Sequence, residues 1–158
     1  MKKLKLFVSL FFVTGMLLTS CSSDDDNTPA GPVTNGNISA KWNPVKTIFK
    51  VNDAAPNEFL YTENEATCAK DYIEFAGSNV LNRVVYVING NNQCQALSAT
   101  DPATWAKNVN TLTISGDANY DGTYEITTLS NTELIVKRTD VTGSVTTVTT
   151  IYFTKATT

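Results

Sequence analysis

Thr123-Tyr124-Glu125-Ile126-Thr127-Thr128-Leu129, Ser130-Asn131, then Glu133-Leu134-Ile135-Val136-Lys137-Arg138-Thr139 is the stretch that decides the fold. Two runs rich in Thr, Ile, Leu and Val flank a short polar turn, which is the signature of a β-hairpin. In the second run Leu134 and Val136 share one face while Glu133 and Lys137 lie on the other. That period of two suits a strand with one side buried. Asp121-Gly122 leads into the hairpin, and Gly143-Ser144 leads out of it into Val145–Lys155, where Val148 and Ile151 are followed by Tyr152 and Phe153.

The same pattern extends toward the N-terminus as far as Ile38, with no helical periodicity of any length. Eight strands are predicted: Ser39–Val51, Asp71–Ala76, Asn82–Ile88, Trp105–Asn108, Thr111–Ser115, Thr123–Leu129, Glu133–Thr139 and Val145–Lys155. Pro44 is tolerable in the first of them at an edge or a bulge. Gly77-Ser78-Asn79 and Asn89-Gly90 supply further turns that accept positive φ. Strands joined in sequence by hairpins build an all-β, antiparallel up-and-down meander. Eight of them remove two exposed edges most simply by closing, or nearly closing, into a barrel.

Asn52–Lys70 interrupts the pattern with a long, polar and acidic segment holding Phe59, Leu60 and Tyr61 at its centre. It reads as a lid over one barrel mouth, since a loop this long in a small domain is usually functional or disordered. Among the aromatics, Trp42, Phe49, Phe75, Tyr86, Trp105, Tyr124 and Phe153 either fill the barrel or line a ligand cavity. Trp42, Phe75, Tyr86, Trp105, Tyr124 and Phe153 form the expected base and core.

The chain begins with a different kind of segment. Met1-Lys2-Lys3-Leu4-Lys5 is basic and Leu6–Leu18 almost continuously apolar, too short to cross a bilayer but suited to a signal-peptide core. Thr19 and Ser20 then precede Cys21, with Leu18 three positions upstream. This resembles the lipobox of bacterial lipoproteins, which implies removal of residues 1–20, acylation of Cys21 and attachment to a membrane by more than one acyl chain. Asp24-Asp25-Asp26 is similar to an acidic signal that sends lipoproteins to the outer face of an outer membrane; a periplasm-facing anchor is the alternative. Residues 21–37 are small, polar and Pro/Gly-containing, the composition of a flexible tether ahead of a domain spanning 38–158.

Composition excludes several functions. Without residues 1–20 the chain has nine basic and fifteen acidic residues, a formal charge of −6, and no basic cluster. Nucleic-acid binding, which depends on neutralising phosphate, is therefore not expected. The sequence holds no histidine, which removes Ser-His and Cys-His catalysis and histidine-ligated zinc together. Once Cys21 is acylated, Cys68 and Cys94 remain, and outside the cytoplasm two such thiols most simply form one disulfide. Glu74, Glu125 and Glu133 lie on strands without a substrate-positioning motif, so no enzymatic activity and no cofactor are expected.

Asp117-Ala118-Asn119-Tyr120-Asp121-Gly122 fits the first half of a calcium-loop pattern, with Asp117, Asn119 and Asp121 as oxygen donors. Its closing carboxylate would fall at Thr128, and the same residues serve an exposed hairpin for geometry alone. The expectation is no metal, with calcium at this loop as the minor alternative.

Ile38-Ser39-Ala40-Lys41-Trp42, then Cys68-Ala69-Lys70-Asp71-Tyr72-Ile73-Glu74-Phe75, Cys94, Asn110-Thr111-Leu112-Thr113-Ile114, Tyr124-Glu125-Ile126 and Leu134-Ile135-Val136 together resemble the lipocalin-like domain of Bacteroidota-type surface lipoproteins. The resemblance implies a barrel over residues 38–155. Trp42 matches the family's first-strand tryptophan, Ala40 stands at the place of its glycine, and Arg138 or Lys155 stands in for its late basic residue against the indole. It further implies a monomeric, non-catalytic protein that binds a small apolar ligand or a protein partner at the cell surface. A ligand-free structural or interaction module with a filled core is the alternative.

Overall fold

The computed structural model describes residues 33–34, 36–98 and 103–157. The signal segment, Cys21 and the acidic run lie outside the described residues. Eleven strands are present: β1 (Val33–Thr34), β2 (Lys41–Val51), β3 (Asn57–Leu60), β4 (Tyr72–Phe75), β5 (Val80–Ile88), β6 (Cys94–Ser98), β7 (Ala103–Asn108), β8 (Thr111–Ser115), β9 (Gly122–Leu129), β10 (Glu133–Thr142) and β11 (Val145–Lys155). A single 3-10 turn, Gly77–Asn79, is the sole helical element among the described residues.

The eight strands expected from the sequence are the eight staves of a closed barrel. Going round it, β2, β4, β5, β7, β8, β9, β10 and β11 pair antiparallel in chain order, and β11 returns to β2. The β9–β10 hairpin pairs Leu134 with Leu129 and Val136 with Ile126, with a bulge between Ile135 and Val136. Pro44 sits where β2 slips against β11, the register passing from Lys46–Tyr152 to Pro44–Phe153. A residue without an N–H fits best at such a break in the ladder.

Three strands were not expected. Val33–Thr34, within the stretch whose composition reads as tether, runs parallel to Thr128–Leu129 on β9, and the Gly36 N–H donates to the Leu129 carbonyl at 3.0 Å. A Cβ on Gly36 would come within 2.4 Å of the Ser130 carbonyl oxygen, so only glycine lets the chain pass there. β3 pairs with Lys46–Phe49 of β2, and β6 with Val84–Ile88 of β5. Both use strand edges that the barrel leaves open, because β2 touches β4 only at Lys41 and Trp42, and β5 touches β7 only at Val80 and Leu81. An unpaired backbone row recruits whatever chain is at hand, and this tertiary context overrides weak local propensity.

The lid expectation needs correcting for the same reason. The segment after β2 continues it as an upright hairpin instead of folding across the mouth, leaving Phe59 57% and Leu60 65% exposed. The staple at its far end is present: Cys68 and Cys94 form a disulfide.

The apolar side chains concentrate in the half of the barrel nearest the Trp42 end of β2. Trp42, Ile73, Phe75, Leu81, Leu112, Ile114, Tyr124, Ile126, Leu129, Leu134, Val136, Ile151 and Phe153 are buried in one cluster. The Trp42 indole N–H donates to the Ile38 carbonyl at 2.8 Å, so the largest core residue brings its own polar atom satisfied. Trp105 packs edge-on against Phe75 at 5.4 Å and donates to the Ala76 carbonyl. Tyr86, expected in the core, instead lies half-buried with Tyr72, Glu74 and Lys41 on the outside of the wall. On β5 it follows the buried Leu81 at an odd spacing, which puts it on the opposite face.

Candidate functional site

The mouth is the end of the barrel where core residues give way to mixed ones. Register places Val136, Ile151, Thr47 and Phe59 in one row across β10, β11, β2 and β3. The next row up is Arg138, Thr149, Phe49 and Asn57. Phe49 and Phe59 meet edge-to-face at 5.8 Å, a preferred arrangement for two rings. Thus the hairpin that was read as a lid supplies one wall of the mouth.

The floor is set by the loop between β8 and β9, the stretch with the calcium-like pattern. Asp117 is 3% exposed. Its Oδ1 accepts the N–H groups of Asn119 and Tyr120, and its Oδ2 takes the Arg83 Nε–H at 3.0 Å. Asp121 accepts the Gly116 N–H through Oδ1 and offers its carbonyl to Arg138 at 2.8 Å. The carboxylates therefore fold the loop inward and anchor it to the wall, a use of Asp and Asn for turn geometry and buried pairing that competes with cation binding. Gly122 (φ +141°) has the Arg138 guanidinium where a Cβ would stand, at 2.6 Å, so a side chain there would displace the anchor.

This inward turn drives Tyr120 into the barrel, where its ring lies 5.7 Å from Phe153 at the top of the core. Burial pushes its hydroxyl well above the ordinary phenol range, and the Asp117 charge adds to the rise. Tyr124, one layer below, is raised chiefly by burial as well, and its hydroxyl donates to the Tyr120 carbonyl at 3.0 Å. Two hollows flank Tyr120. One of about 250 Å³ is lined by Thr47, Phe49, Asn119, Tyr124, Arg138, Thr149 and Ile151. The other, about 160 Å³, lies against Pro44, Phe59, Leu60 and Tyr61. Both share Thr47, Tyr120 and Ile151.

A second buried carboxylate holds the mouth wall together. Asp71 is fully buried, accepting the Tyr61 hydroxyl and the Tyr86 N–H at 2.7 Å each, while its own N–H donates to Asn64 Oδ1 at 2.9 Å. It fills the slit left where β3 and not β4 flanks the upper part of β2. Burial, then the bond to Asp71, raises Tyr61 far above the usual phenol value.

The remaining sequence candidates scatter. Arg138 sits at the mouth over the Tyr124 ring, and not at the base against Trp42. Lys155 is opposite Trp42 in register but lines an outer groove. Glu125 pairs with Lys137 at 2.8 Å, Glu74 accepts from Asn82, and Glu133 is exposed, so these three carboxylates form no cluster. The sequence placed Tyr61 in a lid and gave no role to Asp71, Arg83 or Tyr120. An aromatic inside a run of Asp and Asn was the available signal for Tyr120; Asp71 and Arg83 are joined to their partners only by the closed topology.

A family model described as a lipocalin-like domain matches residues 34–136, from β1 into β10. No curated protein matches the sequence. A match over most of the chain coincides with a closed eight-stranded meander whose first long strand plants Trp42 at its base. On those grounds the chain belongs to the lipocalin-like domain family.

Proposed function

We propose that this chain is a lipid-anchored envelope protein whose barrel mouth binds a small apolar ligand without acting chemically on it. The observation that carries the reading is the pair of hollows around Tyr120, walled by Phe49, Phe59, Tyr124 and Ile151 and edged by Thr47, Thr149 and Arg138. A mostly apolar concavity with a few polar groups is the usual form of a small-molecule site. The filled barrel below Tyr120 restricts the ligand to the mouth. The absence of histidine and the dispersal of Glu74, Glu125 and Glu133 support binding over catalysis. Cys21 is the proposed anchor, with residues 22–32 as spacer, and Asp24-Asp25-Asp26 favours the outer membrane's exterior over a periplasm-facing position. The domain acts as a monomer.

A second reading, a ligand-free interaction module presenting its mouth to a protein, is favoured by the fifteen-residue apolar cluster that plugs the lower barrel. Organic extraction and native mass spectrometry of the full chain purified from membranes separate the two. Stoichiometric co-purifying small molecules, lost in Phe49→Ala, support the first; a clean protein mass supports the second. Labelled palmitate entering the wild type but not Cys21→Ala tests the anchor, and protease shaving of intact cells tests its exposure.

A further inference from the structure

A broad concavity lies outside the barrel. A groove of about 690 Å³ runs between the Cys68-Ala69-Lys70 strap and the C-terminal Lys155-Ala156-Thr157, floored by outward residues of β2, β4 and β5. The disulfide fixes one rim through Cys68. The Ala156 N–H, donating to the Lys41 carbonyl at 2.9 Å, fixes the other. Into it face Lys41, Lys70 and Lys155, the rings of Tyr72 and Tyr86, and the amide of Asn43; Glu74 is the one acid.

The charge pattern is not that of the rest of the surface. Among the described residues, Lys46, Arg83, Lys137 and Arg138 are each in a salt bridge. Five basic residues are in none, and three of these five line this groove. Among the described residues, an acidic chain thus gathers three lysines outside any salt bridge, with Glu74 opposite Lys41 as the one acid beside them, in one concave place. Lys41 lies 4.6 Å from the Tyr72 ring centre, a cation held over an aromatic face.

We propose that this groove binds a small organic anion, one whose carboxylate, phosphate or sulfate groups meet Lys41, Lys70 and Lys155 while its flat body packs on Tyr72 and Tyr86. The volume falls within the range of sites that enclose a whole small molecule, and concavity disfavours a membrane plane or a macromolecule. This site is separate from the mouth and takes the opposite ligand chemistry.

The probe is pyrene-1,3,6-trisulfonate, a flat trianion, titrated into the full chain and followed by fluorescence anisotropy. Saturable binding is expected, weakened roughly tenfold by each of Lys41→Gln, Lys70→Gln and Lys155→Gln, the loss expected for one charge-assisted contact. Added salt should weaken it further, uncharged 1-pyrenemethanol should not compete, and Phe49→Ala at the mouth should leave it unchanged. All three lysines are exposed, so these variants retain the fold; circular dichroism checks this. No saturable binding up to millimolar probe, binding indifferent to the lysines, or binding lost in Phe49→Ala overturns the proposal.

Discussion

The two halves of this barrel are built by different rules. Around Trp42 the staves alternate cleanly, the interior is filled by aliphatic and aromatic side chains, and polar atoms are rare. Around Tyr120 the interior carries Arg83, Asp117, Thr149 and Arg138, and the wall is completed by two hairpins, β2–β3 and β5–β6, that the barrel does not need for closure. The first half is held by area removed from water, which is non-directional and roughly additive. The second is held by specific polar pairs whose members must all be present. Stability should therefore reside below and recognition above.

The largest test of that division is Trp42→Ala. The indole is fully buried at the base, and emptying its place should cost about 3–5 kcal/mol. Phe49→Ala, at a smaller aromatic already 39% exposed at the mouth, should cost about 1 kcal/mol, since the smaller ring and its partial exposure both leave less area to lose. Urea unfolding of both variants measures the contrast, and equal losses would erase it. Second in size is Cys68→Ser with Cys94→Ser. The disulfide spans 26 residues and its removal should cost on the order of 3 kcal/mol in the chain-entropy model. Hydrogen exchange should show the added opening around residues 61–71 and 94–98, with the base protected as before.

The sequence carried the lower half almost completely and the upper half hardly at all. The barrel staves announce themselves because each has a buried side, and period-two burial leaves a period-two trace, as in Leu134 and Val136. β3 and β6 leave no such trace: every residue of both is exposed. They exist because β2 outruns β4 and β5 outruns β7, leaving open edges on those sides, a fact of topology that no local window contains. Asp117 was equivocal for a related reason. Oxygen-rich turn residues suit a cation and a buried ion pair equally well, and the partner that decides between them, Arg83, lies 34 residues away. Tyr86 was misplaced by composition alone, since an aromatic on a strand has two faces to choose from.

Alkaline titration sharpens the comparison next. Tyr61 and Tyr120, both of the upper half, have hydroxyls raised above the ordinary value of 10.0. The unfolded chain releases these protons from about pH 10, whereas the folded chain retains them. The folded state's advantage is thus complete below that pH and declines as pH rises above it. Urea midpoints should be flat from pH 8 to 9.5 and fall beyond. Tyr120→Phe should lessen the fall, because it removes one of the groups that titrate differently in the two states. An unchanged fall in Tyr120→Phe would assign the alkaline loss elsewhere.

The smallest expected effect on stability belongs to Phe59→Ser, and it separates the halves most cleanly. The ring is more than half exposed, and its main partner is Phe49. Losing that edge-to-face contact and the little area it buries should cost less than about 1 kcal/mol. Its strand is already polar and solvent-facing, so serine adds no buried polar group. Yet Phe59 shares its row with Thr47 and Ile151 and lines the smaller hollow beside Tyr120. Uptake of an uncharged apolar dye such as Nile red should therefore fall severalfold while the unfolding midpoint hardly moves. If uptake followed stability instead, dropping only where the fold is weakened, the mouth would be an extension of the core and the division between holding and binding would fail.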